Sequence, residues 1–133
     1  MGTSHIMTSP TQSALNTARK EFNGRFIGPY QPRGVAWMLS RELSSGSVKG
    51  GFLCDEMGLG KTAQTIGTIL GNKLPRTLIV TPKSIVTQWE QEISKFASQL
   101  KVGIYDGANR LQILKELDHT DVVVAPYSVI FNR

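Results

Sequence analysis

Eight consecutive residues, Asp55-Glu56-Met57-Gly58-Leu59-Gly60-Lys61-Thr62, have the types and spacing of a phosphate grip. They follow a short apolar run, Gly51-Phe52-Leu53-Cys54. The pattern reads as a strand, a glycine turn and a helix that opens with Lys-Thr. Gly58 and Gly60 can take positive φ and let the backbone come close to an anion. Backbone N–H groups of residues 58–62 would converge on the phosphate, and the positive end of the following helix would add to them. Lys61 would neutralise β and γ oxygens of a nucleoside triphosphate, and the Thr62 hydroxyl would hold Mg²⁺. These two are the residues expected to serve catalysis. The general signature G-x-x-x-x-G-K-[ST] begins with glycine. Here Asp55 stands first, so the strict pattern fails at one position. The competing reading is a plain glycine turn before an ordinary helix. The apolar run before the turn and the helical spacing of Ile66, Ile69 and Leu70 after it favour the grip.

Several elements must hold that turn in place. From Gln31 to Leu43, apolar residues at 35, 39 and 43 have helical spacing. Residues 10–28 are polar with weak periodicity and read as a lead-in segment. Residues 44–47 read as a loop and 51–54 as a buried strand. A helix is predicted over 62–70, stopped by Gly71-Asn72. A β-branched strand follows over 76–81, ended by Pro82. Ser84 is placed to cap the next helix, whose apolar face is Ile85, Trp89, Ile93 and Ala97. Residues 101–105 read as a strand, and 110–117 as a helix with Leu111, Leu114 and Leu117 on one side. Residues 121–125 read as a strand, apolar without a break from Val122 to Ala125, as a parallel strand covered on both faces requires. This alternation predicts an α/β fold with a mainly parallel sheet flanked by helices. Ligands bind such folds at the carboxyl ends of strands, where the glycine turn would lie. Trp37 and Trp89 lie on or beside apolar helical faces and read as core aromatics rather than base-stacking groups.

Composition narrows the classes. The chain has 133 residues, 40% hydrophobic and 19% charged, which suits one globular core. Its apolar runs fall far short of the ~20 residues of a membrane span, so no membrane partner is expected. Residues 1–9 read as a cloning scar. Cys54 is the single cysteine and has no internal disulfide partner; with only His5 and His119 beside it, no His/Cys metal site is expected. The formal net charge is +5. Arg19, Lys20, Arg25, Arg33 and Arg41 face only Glu21 in the same stretch. That balance suits a polyanion, either nucleotide or nucleic acid, but it equally suits a solvated surface.

Four segments in order carry a resemblance: Tyr30-Gln31, DEMGLGKT at 55–62, LIVTPKSIVTQWEQEI at 78–93 and DVVVAPYSVI at 121–130. Together they resemble the Swi/Snf family of DNA-translocating ATPases, in helicase superfamily two. Asp in place of the first glycine is usual in that family. The resemblance implies a RecA-like phosphate-loop fold, with residues 29–133 as part of its first ATP-binding lobe. It implies ATP and Mg²⁺ as cofactors and double-stranded DNA as the partner of the whole protein. Gln31 matches the glutamine that reads the adenine edge, where an amide can donate and accept at once. A surface glutamine at a helix start is the alternative. Asp55, Glu56, Met57, Gly58, Leu59, Gly60, Lys61 and Thr62 match the nucleotide cradle, with Thr62 on the metal. Lys83 and Ser84 match a segment that touches a DNA backbone, against a solvated lysine and a simple cap. Tyr127 lies in the next backbone-contact segment. There Ala125 and Pro126 stand where the family commonly has threonine, so a hydroxyl is missing. The spacing Gln31-x-x-Gly34-x-x-Trp37-Met38 looks like the branch that contains post-replication-repair translocases.

The family next supplies an Asp-Glu-x-His strand and, in a second lobe, arginine fingers. Neither is in this sequence. An arginine finger alone can be worth ~10³–10⁵ in rate, so the chain by itself is expected to bind nucleotide weakly and hydrolyse it negligibly. Without the acidic strand, apolar strand edges would be exposed and self-association is expected; a clean monomer by light scattering would count against it. The parent would couple ATP hydrolysis to movement along duplex DNA, in the nucleus of a eukaryote or otherwise in the cytoplasm. Two other functions compete: an RNA helicase or other phosphate-loop ATPase, and a non-catalytic module that binds nucleic acid or a partner. The Gln88-Trp89-x-x-Glu92 segment argues against the first, and intact Lys61 and Thr62 against the second.

Overall fold

Among the described residues, helices α1 (Pro10–Glu21), α2 (Tyr30–Glu42) and α3 (Lys61–Gly71) make up the regular structure of the first of two compact units, Met1–Asn72 and Lys73–Arg133. The computed structural model describes residues 9–26, 29–46, 49–51 and 61–131.

The segment expected to be a polar lead-in contains a well-formed helix instead. The Ser9 hydroxyl caps α1 by accepting the Gln12 N–H at 3.1 Å. Pro10 opens the first turn, and Arg19 and Lys20 lie at the negative end of the helix. Ala14, Leu15 and Ala18 form its buried face. That face is mostly alanine, which gives too little hydropathic contrast to stand out in the sequence.

On α2 the buried stripe is Gln31, Gly34, Val35 and Leu39, at the spacing of one helical face. Trp37 lies off that stripe and is 40% exposed, which corrects its reading as a core aromatic. Its ring lies against the backbone of Gly51, where an added Cβ would sit 2.7 Å from the ring. Gly51 is exposed and outside any strand, and the rest of the expected strand, Phe52–Cys54, lies outside the described residues. On α3 the expected apolar residues Ile66, Ile69 and Leu70 are buried, together with Gln64. Asn72 follows the helix and donates its side-chain amide to Glu42 Oε1 at 2.8 Å, tying the ends of α3 and α2 together.

The second unit is a three-stranded parallel sheet of β1 (Thr77–Thr81), β2 (Val102–Ile104) and β3 (Val122–Pro126). The order is β1-β3-β2, so the last strand in sequence is the central one. Every residue of β3 is buried, as its unbroken apolar run requires. Helices α4 (Val86–Phe96), α5 (Arg110–Lys115) and α6 (Tyr127–Phe131) accompany the strands. On α4, Val86 and Ile93 are buried, as is Ala97 just beyond it, while Trp89 is half-buried.

Two local expectations are corrected here. Ser84 does not cap α4. The chain first makes a 3₁₀ turn over Lys83–Ile85, with the Ile85 N–H donating to the Pro82 carbonyl at 3.2 Å. The α-helix therefore starts later, at Val86, and the cap position is Ile85 with no side-chain bond. On α5 the leucines do not form the buried face. Leu111 and Leu114 are 71% and 50% exposed, and Ile113 is buried instead. Gly103 on β2 makes room for it: a Cβ there would lie 2.8 Å from Ile113 Cδ1.

Candidate functional site

Lys61 and Thr62 open α3, with Lys61 exposed and Thr62 half-buried. The first N–H groups of a helix have no partner within it and would be offered to an anion at such an end. Hydroxyls further along α3 are already used. Thr65 donates to the Lys61 carbonyl and Thr68 to the Gln64 carbonyl, both at 2.9 Å. Thr62 follows Lys61 in the first described turn of α3. A hydroxyl and a cation are the side-chain types that a metal–nucleotide complex would need at such a place. Asp55, Glu56, Met57, Gly58, Leu59 and Gly60 lie outside the described residues.

Three contacts fix how α2 meets α3. A Cβ on Gly34 would fall 1.6 Å from Gln64 Oε1. One on Gly67 would fall 3.1 Å from Val35 Cγ2, and one on Gly71 3.0 Å from Leu39 Cδ1. Residues 34, 35 and 39 of α2 thus meet 64, 67 and 71 of α3 in the same order. The two helices run in the same sense, so their first turns lie at the same end of the unit. Gln31 is in one of those turns, and Lys61 and Thr62 are in the other. Gln31 is only 4% exposed, which removes the surface-glutamine alternative. Sequence order alone could not show this, because the pairing depends on which small residues meet.

The strand ends gather the second set of residues. β1 and β3 pair in parallel with Thr81 opposite Pro126. Lys83 follows one strand and Tyr127 the other, so both emerge at the carboxyl edge of the sheet. Lys83, Ser84 and Tyr127 are all exposed. Asp106, just beyond β2 on the same edge, approaches the Lys83 ammonium at 3.7 Å. Lys83 is exposed while Asp106 is half-buried, and at 3.7 Å the pair is a loose one that contributes little to stability, so Lys83 can exchange this partner for another anion at low cost. Sequence reading missed Asp106; a lone acid after a short strand carries no motif.

A parallel sheet flanked by helices, with a Lys-Thr turn opening a helix, defines a RecA-like α/β protein. The SNF2-related domain matches residues 30–133, and the chain belongs to that family. It is 40% identical over 98 residues to the ATP-dependent helicase rhp16 of Schizosaccharomyces pombe, covering 72% of this chain and 11% of that protein. It is 36% identical over 124 residues to the TATA-binding protein-associated factor mot1 of the same organism, covering 77% of this chain and 6% of that protein. Among solved structures, the Sulfolobus solfataricus SWI2/SNF2 ATPase core in complex with dsDNA is similar, with TM-score 0.69 and 32% identity. That likeness covers 85% of this chain and 24% of the other. The chain thus spans a small part of the relatives it matches.

Proposed function

We propose that this chain is the nucleotide-binding part of an ATP-dependent translocase on double-stranded DNA. The observation that carries this reading is the parallel run of α2 and α3, which puts Gln31 at the same end as Lys61 and Thr62. An adenine reader and a phosphate binder have to share one end if a single nucleotide is to touch both. In this reading the backbone N–H groups of residues 58–62 converge on the phosphates within the Asp55–Thr62 cradle, and Lys61 neutralises their outer oxygens. Thr62 holds Mg²⁺, which when bound neutralises charge on the phosphate oxygens. The buried Gln31 amide reads the adenine edge by donating and accepting.

Lys83, Ser84 and Tyr127 are proposed to contact a DNA backbone from the carboxyl edge of the sheet. A cation, a hydroxyl and a phenol suit phosphate and sugar rather than base edges, so binding would follow the backbone and not the sequence. The relatives named as helicases and the DNA-bound SWI2/SNF2 core support this assignment. A protein of this kind would work where duplex DNA is found, in the nucleus of a eukaryote or otherwise in the cytoplasm.

Isothermal titration with Mg-ATP, comparing the chain with Lys61→Ala, tests the nucleotide site. Loss of a charge-assisted contact predicts at least about tenfold weaker binding in the variant. Equal binding by the two would remove the assignment, and no heat from either would favour a module that binds nucleic acid or a partner without using nucleotide.

A further inference from the structure

The family match begins at residue 30, yet the first unit contains a helix that precedes it. α1 packs on both α2 and α3. Ala14, Leu15 and Ala18 share one buried cluster with Val35 and Leu39 of α2. Toward α3 the approach is closer still. A Cβ on Gly71 would fall 2.8 Å from the carbonyl oxygen of Ala14, so the backbones of α1 and α3 come nearly into contact. Such an approach needs a glycine on one helix and a small residue on the other.

The consequence follows from the stiffness of a helix. α3 is held at its last turn by α1 and along its length by α2. Its opposite end carries Lys61 and Thr62. A displacement at Gly71 is carried through the helix to that end, because a hydrogen-bonded helix moves as a body. None of the candidate nucleotide-contacting residues belongs to α1.

We propose that α1 is a positioning element for the nucleotide site: by seating Ala14 against Gly71, it sets where α3 presents Lys61 and Thr62 to the phosphates. This rests on the reading of α3 as the phosphate-binding helix. Ala14 and Leu15 are then positioning residues, acting through α3 and not on the ligand. The role extends the working site beyond the family domain, to a helix that the motifs alone would not include.

The test uses the 133-residue chain, with Mg-ATP as the probe. Ala14→Leu overfills the buried cluster that seats α1 and so shifts the Ala14 carbonyl that lies against Gly71, whereas Asn16→Leu adds the same side chain on the exposed face of the same helix. Titrations are run at a temperature where circular dichroism shows full helix content for each variant. Displacing a contact group by about 1 Å can cost up to about 10²-fold. Ala14→Leu is expected to weaken Mg-ATP binding about tenfold, while Asn16→Leu binds as the parent does. Amide exchange at Thr65 and Ile66 should speed up in Ala14→Leu even without nucleotide, which a purely local role for α1 would not cause. If Ala14→Leu does not fold, Leu15→Ala replaces it; alanine keeps the helix, and the lost packing should weaken binding in the same direction. Binding and exchange equal to the parent, with Lys61→Ala still impaired, would overturn this inference and leave the nucleotide site standing. A Lys61→Ala variant that binds like the parent would remove the nucleotide site itself, and this inference with it.

Discussion

In the first unit, the helix contacts are marked by absent side chains. Gly34 meets Gln64, Gly67 meets Phe26 and Val35, and Gly71 meets Ala14 and Leu39. In the second unit, the central strand β3 is Val122-Val123-Val124-Ala125-Pro126, every residue buried. Backbone brought close through glycine leaves no space to fill, so an added methyl has to displace something. A sheet packed by branched side chains has the opposite weakness, because a removed methyl leaves a void. The difference has a functional side. The candidate nucleotide residues among those described, Gln31, Lys61 and Thr62, are carried by helices in tight mutual contact, which suits a site that must hold its geometry. The candidate DNA-contact residues lie exposed just after strands, Lys83 and Ser84 in a 3₁₀ turn and Tyr127 at the start of α6, which suits a surface that must release and rebind a backbone.

Removal should hurt most in the sheet. Val124 is fully buried at the centre of β3. Val124→Ala deletes two methyl groups and leaves a cavity, for an expected loss of about 2 kcal/mol. Denaturant unfolding together with amide exchange on β1 and β3 reads the effect. A loss below about 0.5 kcal/mol would mean that the sheet collapses into the gap and is not packed as described.

Addition is the matching test on the helices. Gly34→Ala places a Cβ 1.6 Å from the side-chain oxygen of Gln64, which is itself fully buried. Overpacking costs about 1–3 kcal/mol, and alanine returns about 1 kcal/mol of helix propensity. A net destabilisation of about 1 kcal/mol is expected from exchange on α2 and α3. A stabilised variant would show that the Gln64 amide has somewhere else to go, and the contrast between the units would fail.

How much of this was legible in the sequence follows from the same packing. β3 and α3 were readable because long branched side chains mark their buried positions in the chain itself. α1 was not, since alanine at 14 and 18 looks neutral whether buried or exposed. Trp37 misled for the converse reason: a large ring beside an apolar stripe looks like core, but one position of rotation on a helix moves it outside. Lys61 and Thr62 are candidates on their motif, and Gln31 on its family position. That all three lie at one end of the first unit depends on contacts between small residues, which no spacing rule encodes. The 3₁₀ turn at Lys83–Ile85 likewise moved Ser84 out of the cap, although its residue type suited the role.

The smallest expected effect lies on α5, where the sequence pattern and the fold disagree. Leu111, Leu114 and Leu117 recur every three residues and invite reading as a buried stripe. α5 has only six residues, fewer than two turns, so it can bring one side chain squarely onto the sheet. Ile113 takes that place because Gly103 opens space opposite it, and Leu111 is left 71% exposed. Leu111→Gln should therefore change stability by no more than about 0.5 kcal/mol, as for a surface substitution. A loss of about 2 kcal/mol would be the signature of a buried leucine. It would return Leu111 to the core and reverse the assignment of faces on α5, and with it the claim that the second unit is packed through Ile113 on that side.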